Sequence, residues 1–148
     1  MRRIGARKIG QIMTRKPVTV GPDTTILQLR QLFEMHDFNM FPVVDDRRVL
    51  RGVVTQLDLL KIFRPWAGRV TANVGSLWAE HVKDIMSRGL TSVTAEDPVA
   101  TAVTLMVNRR LRSIPVVERQ RRREPVLVGI VSRRDVLRGV TLGEAGQW

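Results

Sequence analysis

Gly52-Val53-Val54-Thr55-Gln56-Leu57-Asp58-Leu59-Leu60 returns 77 residues later as Gly129-Ile130-Val131-Ser132-Arg133-Arg134-Asp135-Val136-Leu137. Each copy passes from a glycine-led, β-branched run into apolar residues at helical spacing, so each reads as a strand that delivers a helix. Upstream, Phe41-Pro42-Val43-Val44-Asp45 returns as Ile114-Pro115-Val116-Val117-Glu118, and Ile12-Met13-Thr14-Arg15 as Ile85-Met86-Ser87-Arg88, both at an offset of 73. The extra residues fall in one loop. The chain is therefore two copies of one unit, with repeat 1 over 9–63, a linker over 64–81 and repeat 2 over 82–140.

Each copy reads as strand, helix, strand, strand, helix. The first strand is Val18-Thr19-Val20 or Thr91-Ser92-Val93. A helix follows with one apolar face, carried by Ile26, Leu29, Leu32, Phe33 and His36 or by Val99, Ala102, Val103 and Met106. Two strands joined by a polar turn come next, 41–44 with 49–54 and 114–117 with 126–131. The last helix carries Leu57, Leu59, Leu60, Ile62 and Phe63, or Val136, Leu137 and Val140. A copy this short is marginal alone, so the expected fold is α+β: two three-stranded sheets packed sheet to sheet about a pseudo-twofold axis. The linker mixes helix breakers with Trp66 and Trp78, which read as cover for a core edge in preference to a partner-docking surface.

With 148 residues, 43% hydrophobic, 26% charged and no cysteine, the composition is that of an ordinary globular protein and excludes disulfide scaffolds and thiolate chemistry. It fits a cytoplasmic protein, and no apolar run approaches the ~20 residues that span a bilayer. The net charge of +11 suggests a polyanionic partner, but it is spread along the chain, +7 over residues 1–74 and +4 over 75–148. The sharpest basic run, 119–123, falls in a hairpin turn where charge is normally solvated, so nucleic-acid binding is the weaker reading. His36 and His81 lie too far apart to form a metal site. No Walker loop, nucleophile elbow or clustered carboxylates accompany them, and the chain reads as a non-enzyme.

Thr55 with Asp58 and Ser132 with Asp135 have the spacing of a capping box, in which hydroxyl and carboxylate each take a backbone N–H at a helix start. From local pattern this comes first. The same residue types also suit a nucleotide: the helix start and hydroxyl offer donors to phosphate, and the carboxylate accepts both hydroxyls of a ribose.

Taken together, the Ile-Met-Thr/Ser lead-in, the hydrophobic-Pro-Val-Val-acidic strand and the Gly-x-x-Thr/Ser-x-x-Asp close, each present twice and in order, resemble a tandem pair of CBS domains. The resemblance implies a regulatory module with no required cofactor, which takes an adenosyl ligand in clefts between its repeats and signals to a protein partner. One site would combine Thr19, Val20, Asn39, Met40 and Phe41 with Ile130, Ser132, Arg134 and Asp135. The other would combine Ser92, Val93, Arg112, Ser113 and Ile114 with Val53, Thr55 and Asp58. Met40 departs from the family's commoner small residue, and Leu57 from its polar or basic one. The arginines near each site favour AMP, ADP or ATP over S-adenosylmethionine. The family further implies a homodimer through the helices beginning near Thr24 and Thr55 and their repeat-2 equivalents. A ligand-free dimerisation module is the remaining alternative.

Overall fold

The computed structural model describes residues 6–63 and 79–143, with side chains through 139. Most of the expected linker, with both its tryptophans, lies outside the described residues. In chain order the elements are β1 (Thr14–Arg15), α1 (Ile26–Met35), β2 (Met40–Val44), β3 (Leu50–Thr55), α2 (Gln56–Ile62), α3 (Val99–Arg109), β4 (Ser113–Glu118), β5 (Val126–Ser132) and α4 (Arg133–Gly143). They divide into two compact units, one from residues 18–90 and the other from 1–17 with 91–148.

In the 18–90 unit, α1 starts at a capping box one residue beyond the expected Thr24. Gln28 N–H donates to Thr25 Oγ1 at 3.1 Å, and Thr25 N–H to Gln28 Oε1 at 2.9 Å. The helix buries Ile26 and Leu29 against Phe41, Val43 and Val54 of an antiparallel hairpin, β2 with β3. His36 caps the end of α1, and its ring stacks on Phe38 with centroids 5.1 Å apart. Along α2, Leu59 and Ile62 are buried while Leu57 and Leu60 face solvent. The other unit repeats the plan. Its α3 buries Val99, Ala102 and Met106 against Ile114, Val116 and Val131 of the β4–β5 hairpin.

The expected first strands shrink to single parallel bridges, Val20 with Val43 and Val93 with Val116. Proline explains this. Val20 N–H donates to Pro42 O at 3.0 Å and Val44 N–H to Val20 O at 2.9 Å. The next rung of a parallel ladder needs an N–H on residue 42, which proline lacks. Pro115 ends the ladder beyond Val93 in the same way, after bonds of 3.1 and 2.8 Å. The sheets found are accordingly β2–β3 and the three-stranded β1–β5–β4, whose edge comes from the lead-in of repeat 1.

That edge shows that the compact units and the sequence repeats are cut at different places. Thr14 and Arg15 pair with Ile130 and Gly129 in one unit, and Ser87 bridges Val53 in the other. Each lead-in serves the sheet of the other repeat. The glycine that opens each closing motif makes room for it: a Cβ on Gly129 would lie 2.8 Å from Thr14 O, and one on Gly52 2.7 Å from Ser87 O.

Candidate functional site

The β2–β3 register places Met40 opposite Thr55 and Phe41 opposite Val54. At that end of the hairpin, Gln56 N–H donates to Asn39 O at 3.1 Å, tying the loop before β2 to the start of α2. Thr55 keeps extended backbone angles and caps α2: Asp58 N–H donates to its Oγ1 at 3.2 Å. Asp58 Oδ2 in turn accepts from Thr55 N–H at 2.8 Å and from Thr55 Oγ1 at 3.1 Å, while Oδ1 lies 3.9 Å from Lys61 Nζ.

The second unit builds the same corner. Ser113 pairs with Ser132 and Ile114 with Val131, and Arg133 N–H donates to Arg112 O at 3.0 Å. Ser132 N–H donates to Asp135 Oδ2 at 2.8 Å, and Asp135 N–H to Ser132 Oγ at 3.0 Å. Here the Thr14 hydroxyl also lies against the carboxylate, 3.2 Å from Oδ1 and 3.4 Å from Oδ2. Thr14 was not among the expected site residues, although its place in the twice-repeated Ile-Met-Thr/Ser lead-in was the signal that could have marked it.

Both carboxylates therefore make the local caps that their spacing suggested. A carboxylate offers about four lone-pair positions, and a cap of this kind is compatible with further acceptance from a diol. The neighbouring candidates are already engaged through their main chains. Val20 and Val93 use N–H and C=O on their own hairpins, and Val53 exchanges bonds with Ser87 at 3.0 and 2.9 Å. Ile130 lies between Thr14 and Pro115 in the sheet. What these residues can offer a ligand is their side chains. Met40, Phe41 and Ile114 are buried, whereas Thr19, Asn39 and Ser113 are half-buried. Ser92 Oγ accepts from Arg119 at 2.7 Å. Arg112 and Arg134 are exposed, while the Arg133 guanidinium donates to Leu111 O at 2.8 Å.

Each unit thus brings to one corner residues that the resemblance assigns to opposite clefts: Asn39, Met40 and Phe41 with Thr55 and Asp58, and Arg112, Ser113 and Ile114 with Ser132 and Asp135. Such a corner can accept hydroxyls and, in the second unit, offer guanidinium groups to an anion. Among the described residues no three His, Asp or Glu side chains are grouped to hold a metal ion, and no helix is long and apolar enough to cross a membrane. An apolar groove of about 390 Å³ lies elsewhere, between α3 and α4, and includes none of the candidate ligand residues.

Comparison with known proteins matches the CBS domain model to residues 9–65 and 82–141. The CBS domain-containing protein YhcV of Bacillus subtilis is 32% identical over 124 residues, which is 84% of this chain and 79% of that one. The chain spans 31% of a Methanocaldococcus jannaschii relative to which it is 30% identical over 136 residues. Among solved structures, CBSX2 of Arabidopsis thaliana in complex with AMP is 25% identical, with a TM-score of 0.74 over 91% of this chain and 96% of that one.

Proposed function

From the CBS-domain family, to which this chain belongs, we propose that it is a non-catalytic regulatory module that binds an adenine nucleotide and passes the binding state to a protein partner. The observation that carries this reading is the capped carboxylate repeated at the corner of each unit, Asp58 beside Thr55 and Asp135 beside Ser132. The AMP complex of CBSX2, at 25% identity, supports the ligand class. In this reading each carboxylate accepts the hydroxyls of a ribose. Asn39, Met40 and Phe41, or Arg112, Ser113 and Ile114, border the base, and Thr19 and Ser92 add hydroxyls. The ligand acts by binding one arrangement of the protein more tightly than another, which is what couples it to a partner. The module works in the cytoplasm as a homodimer and needs no cofactor beyond the regulatory ligand.

Arg112 and Arg134 are exposed beside the second corner. A guanidinium there pairs with phosphate oxygens by charge-assisted hydrogen bonds, but repels the sulfonium and ammonium of S-adenosylmethionine. Calorimetric titration with AMP, ADP, ATP, adenosine and S-adenosylmethionine tests the proposal. The expected result is that the phosphorylated ligands bind at least tenfold more tightly than the other two. Equal affinities for adenosine and ATP contradict the assigned phosphate contacts, and no heat with any of the five contradicts the ligand class.

A further inference from the structure

The even spread of charge along the sequence does not carry over to the compact units. Residues 6–17 and 91–143, the described part of one unit, hold fourteen Arg and Lys against five Asp and Glu, a net charge of +9. Residues 18–63 and 79–90 of the other hold seven against eight, a net charge of −1. Cut at the repeats, the same residues would divide as +3 and +5. The exchange of lead-ins therefore concentrates the positive charge in one unit.

The cations of the two units also meet different partners. In the 18–90 unit Arg30, Arg51, Lys61 and Lys83 lie 2.8–3.9 Å from carboxylates. In the other unit Arg109 donates to Thr91 Oγ1 at 2.6 Å and Arg119 to Ser92 Oγ at 2.7 Å. A bond to a neutral oxygen orients a guanidinium without cancelling its charge, and it engages only part of the five-donor fork. Two guanidiniums are thus held on consecutive residues. Arg119 also opens the β4–β5 turn, in which Arg121, Arg122 and Arg123 are exposed. Glu118 and Glu124 flank that turn and leave 118–124 at +2, whereas the equivalent Asp45-Asp46-Arg47-Arg48 is neutral.

We propose that the β4–β5 turn, with Arg109 and Arg119 beside it, binds the phosphate backbone of a double-stranded nucleic acid, a function additional to nucleotide sensing. The planar guanidinium fork matches phosphate oxygens two at a time. Residues 6–17 and 91–143 contain no Phe, Trp, Tyr or His on which unpaired bases could stack. Contact is accordingly with phosphates, which hold a duplex without reading its sequence. The turn, Glu-Arg-Gln-Arg-Arg-Arg-Glu, has no apolar side chain to enter a bilayer, which sets it apart from a membrane-surface anchor.

Fluorescence anisotropy with a labelled 20-base-pair DNA duplex of mixed sequence tests the proposal on the full chain. Neutralising about four phosphates should make binding fall on the order of 100-fold between 50 and 200 mM salt. A second duplex of unrelated sequence should bind equally. The combined Arg121→Gln, Arg122→Asn and Arg123→Gln variant should bind at least tenfold more weakly at 50 mM salt and with a flatter salt dependence. Arg122 has a φ of 63°, a left-handed conformation that asparagine accepts readily, so Arg122→Asn alone serves as a well-folded second variant with a smaller loss. Arg48→Asn in the other turn should change nothing. No binding at 50 mM salt, or equal binding by the triple variant and the wild type, overturns the proposal. So does competition by polyglutamate as effective as that by unlabelled duplex, or binding to phosphatidylserine vesicles in place of the duplex. Displacement of the duplex by saturating AMP would move the contact to the nucleotide corners and overturn the assignment to the turn, whereas retention beside bound AMP supports it.

Discussion

In the 18–90 unit the lead-in that contains Val82 and Ser87 is fastened by Asp84, whose Oδ2 accepts from the backbone N–H of Glu80 and of His81, each at 3.0 Å. In the other unit the equivalent position is Gln11, whose Oε1 accepts from Lys8 N–H at 2.9 Å. One fastening ionises and the other does not. The hairpin turns each hold a carboxylate but engage it differently. Asp45 receives Arg47 N–H, Val49 N–H and the Arg51 guanidinium, whereas its counterpart Glu118 pairs with Gln120. The duplicated backbone has kept its geometry while the chemistry of its clamps has diverged, so the two units should respond alike to steric change and differently to acid.

The largest effects should come from the glycines against which the lead-ins rest. Gly52→Ala and Gly129→Ala each force a methyl to within 3 Å of a backbone carbonyl oxygen, and overpacking of that kind costs about 1 to 3 kcal/mol. Chemical denaturation should show a comparable loss for both. Tolerance of either one breaks the symmetry between the lead-ins. Next in size are the caps: Thr55→Ala and Ser132→Ala should each cost about 1 kcal/mol. Because Thr14 also donates to Asp135, the loss at Ser132 should deepen when it is combined with Thr14→Val, as a double-mutant cycle would report.

These effects bear on how much the residues themselves revealed. The repeat, the order of its helices and hairpins and both capping boxes were legible, because each depends on spacing within a few residues. The exchange of lead-ins was not. Ile12-Met13-Thr14 and Ile85-Met86-Ser87 were visible as motifs, but which sheet each would join is a long-range choice that no local pattern encodes. β-Branched content marks the first strands, and Val20 and Val93 do pair with their hairpins, but how far that pairing runs is limited on the neighbouring strand by Pro42 and Pro115. Each corner gathers residues that the resemblance assigns to opposite clefts, with backbone groups already used by the fold, an outcome that depends on sheet pairing and not on residue type.

The smallest effect is the pH response, and it should distinguish the units. Hydrogen bonds from the backbone N–H of His81 and Glu80 hold Asp84 below its ordinary value of 3.8. At Asp45, desolvation raises the value, but the bonds from Val49, Arg51 and Arg47 outweigh it and hold the carboxyl below 3.8. A carboxyl lowered in the folded state adds stability that is complete above its unfolded value and is lost as the pH falls through the folded one. Between neutral pH and about pH 3, the wild-type protein should therefore lose stability more steeply than Asp84→Asn or Asp45→Asn. Gln11→Ala should leave that slope unchanged. An identical acid limb in all four proteins would remove the proposed difference between the clamps.

The central claim is that Asp58 and Asp135, besides capping their helices, hold the ribose of an adenine nucleotide. Isothermal titration of AMP into the wild-type protein, Asp58→Asn and Asp135→Asn, with stability measured on the same samples, tests it most directly. The account predicts that each substitution removes or weakens one binding event at least tenfold and leaves the other in place. Unchanged affinity and stoichiometry in both variants, with only the stability loss of a weakened cap, would contradict it.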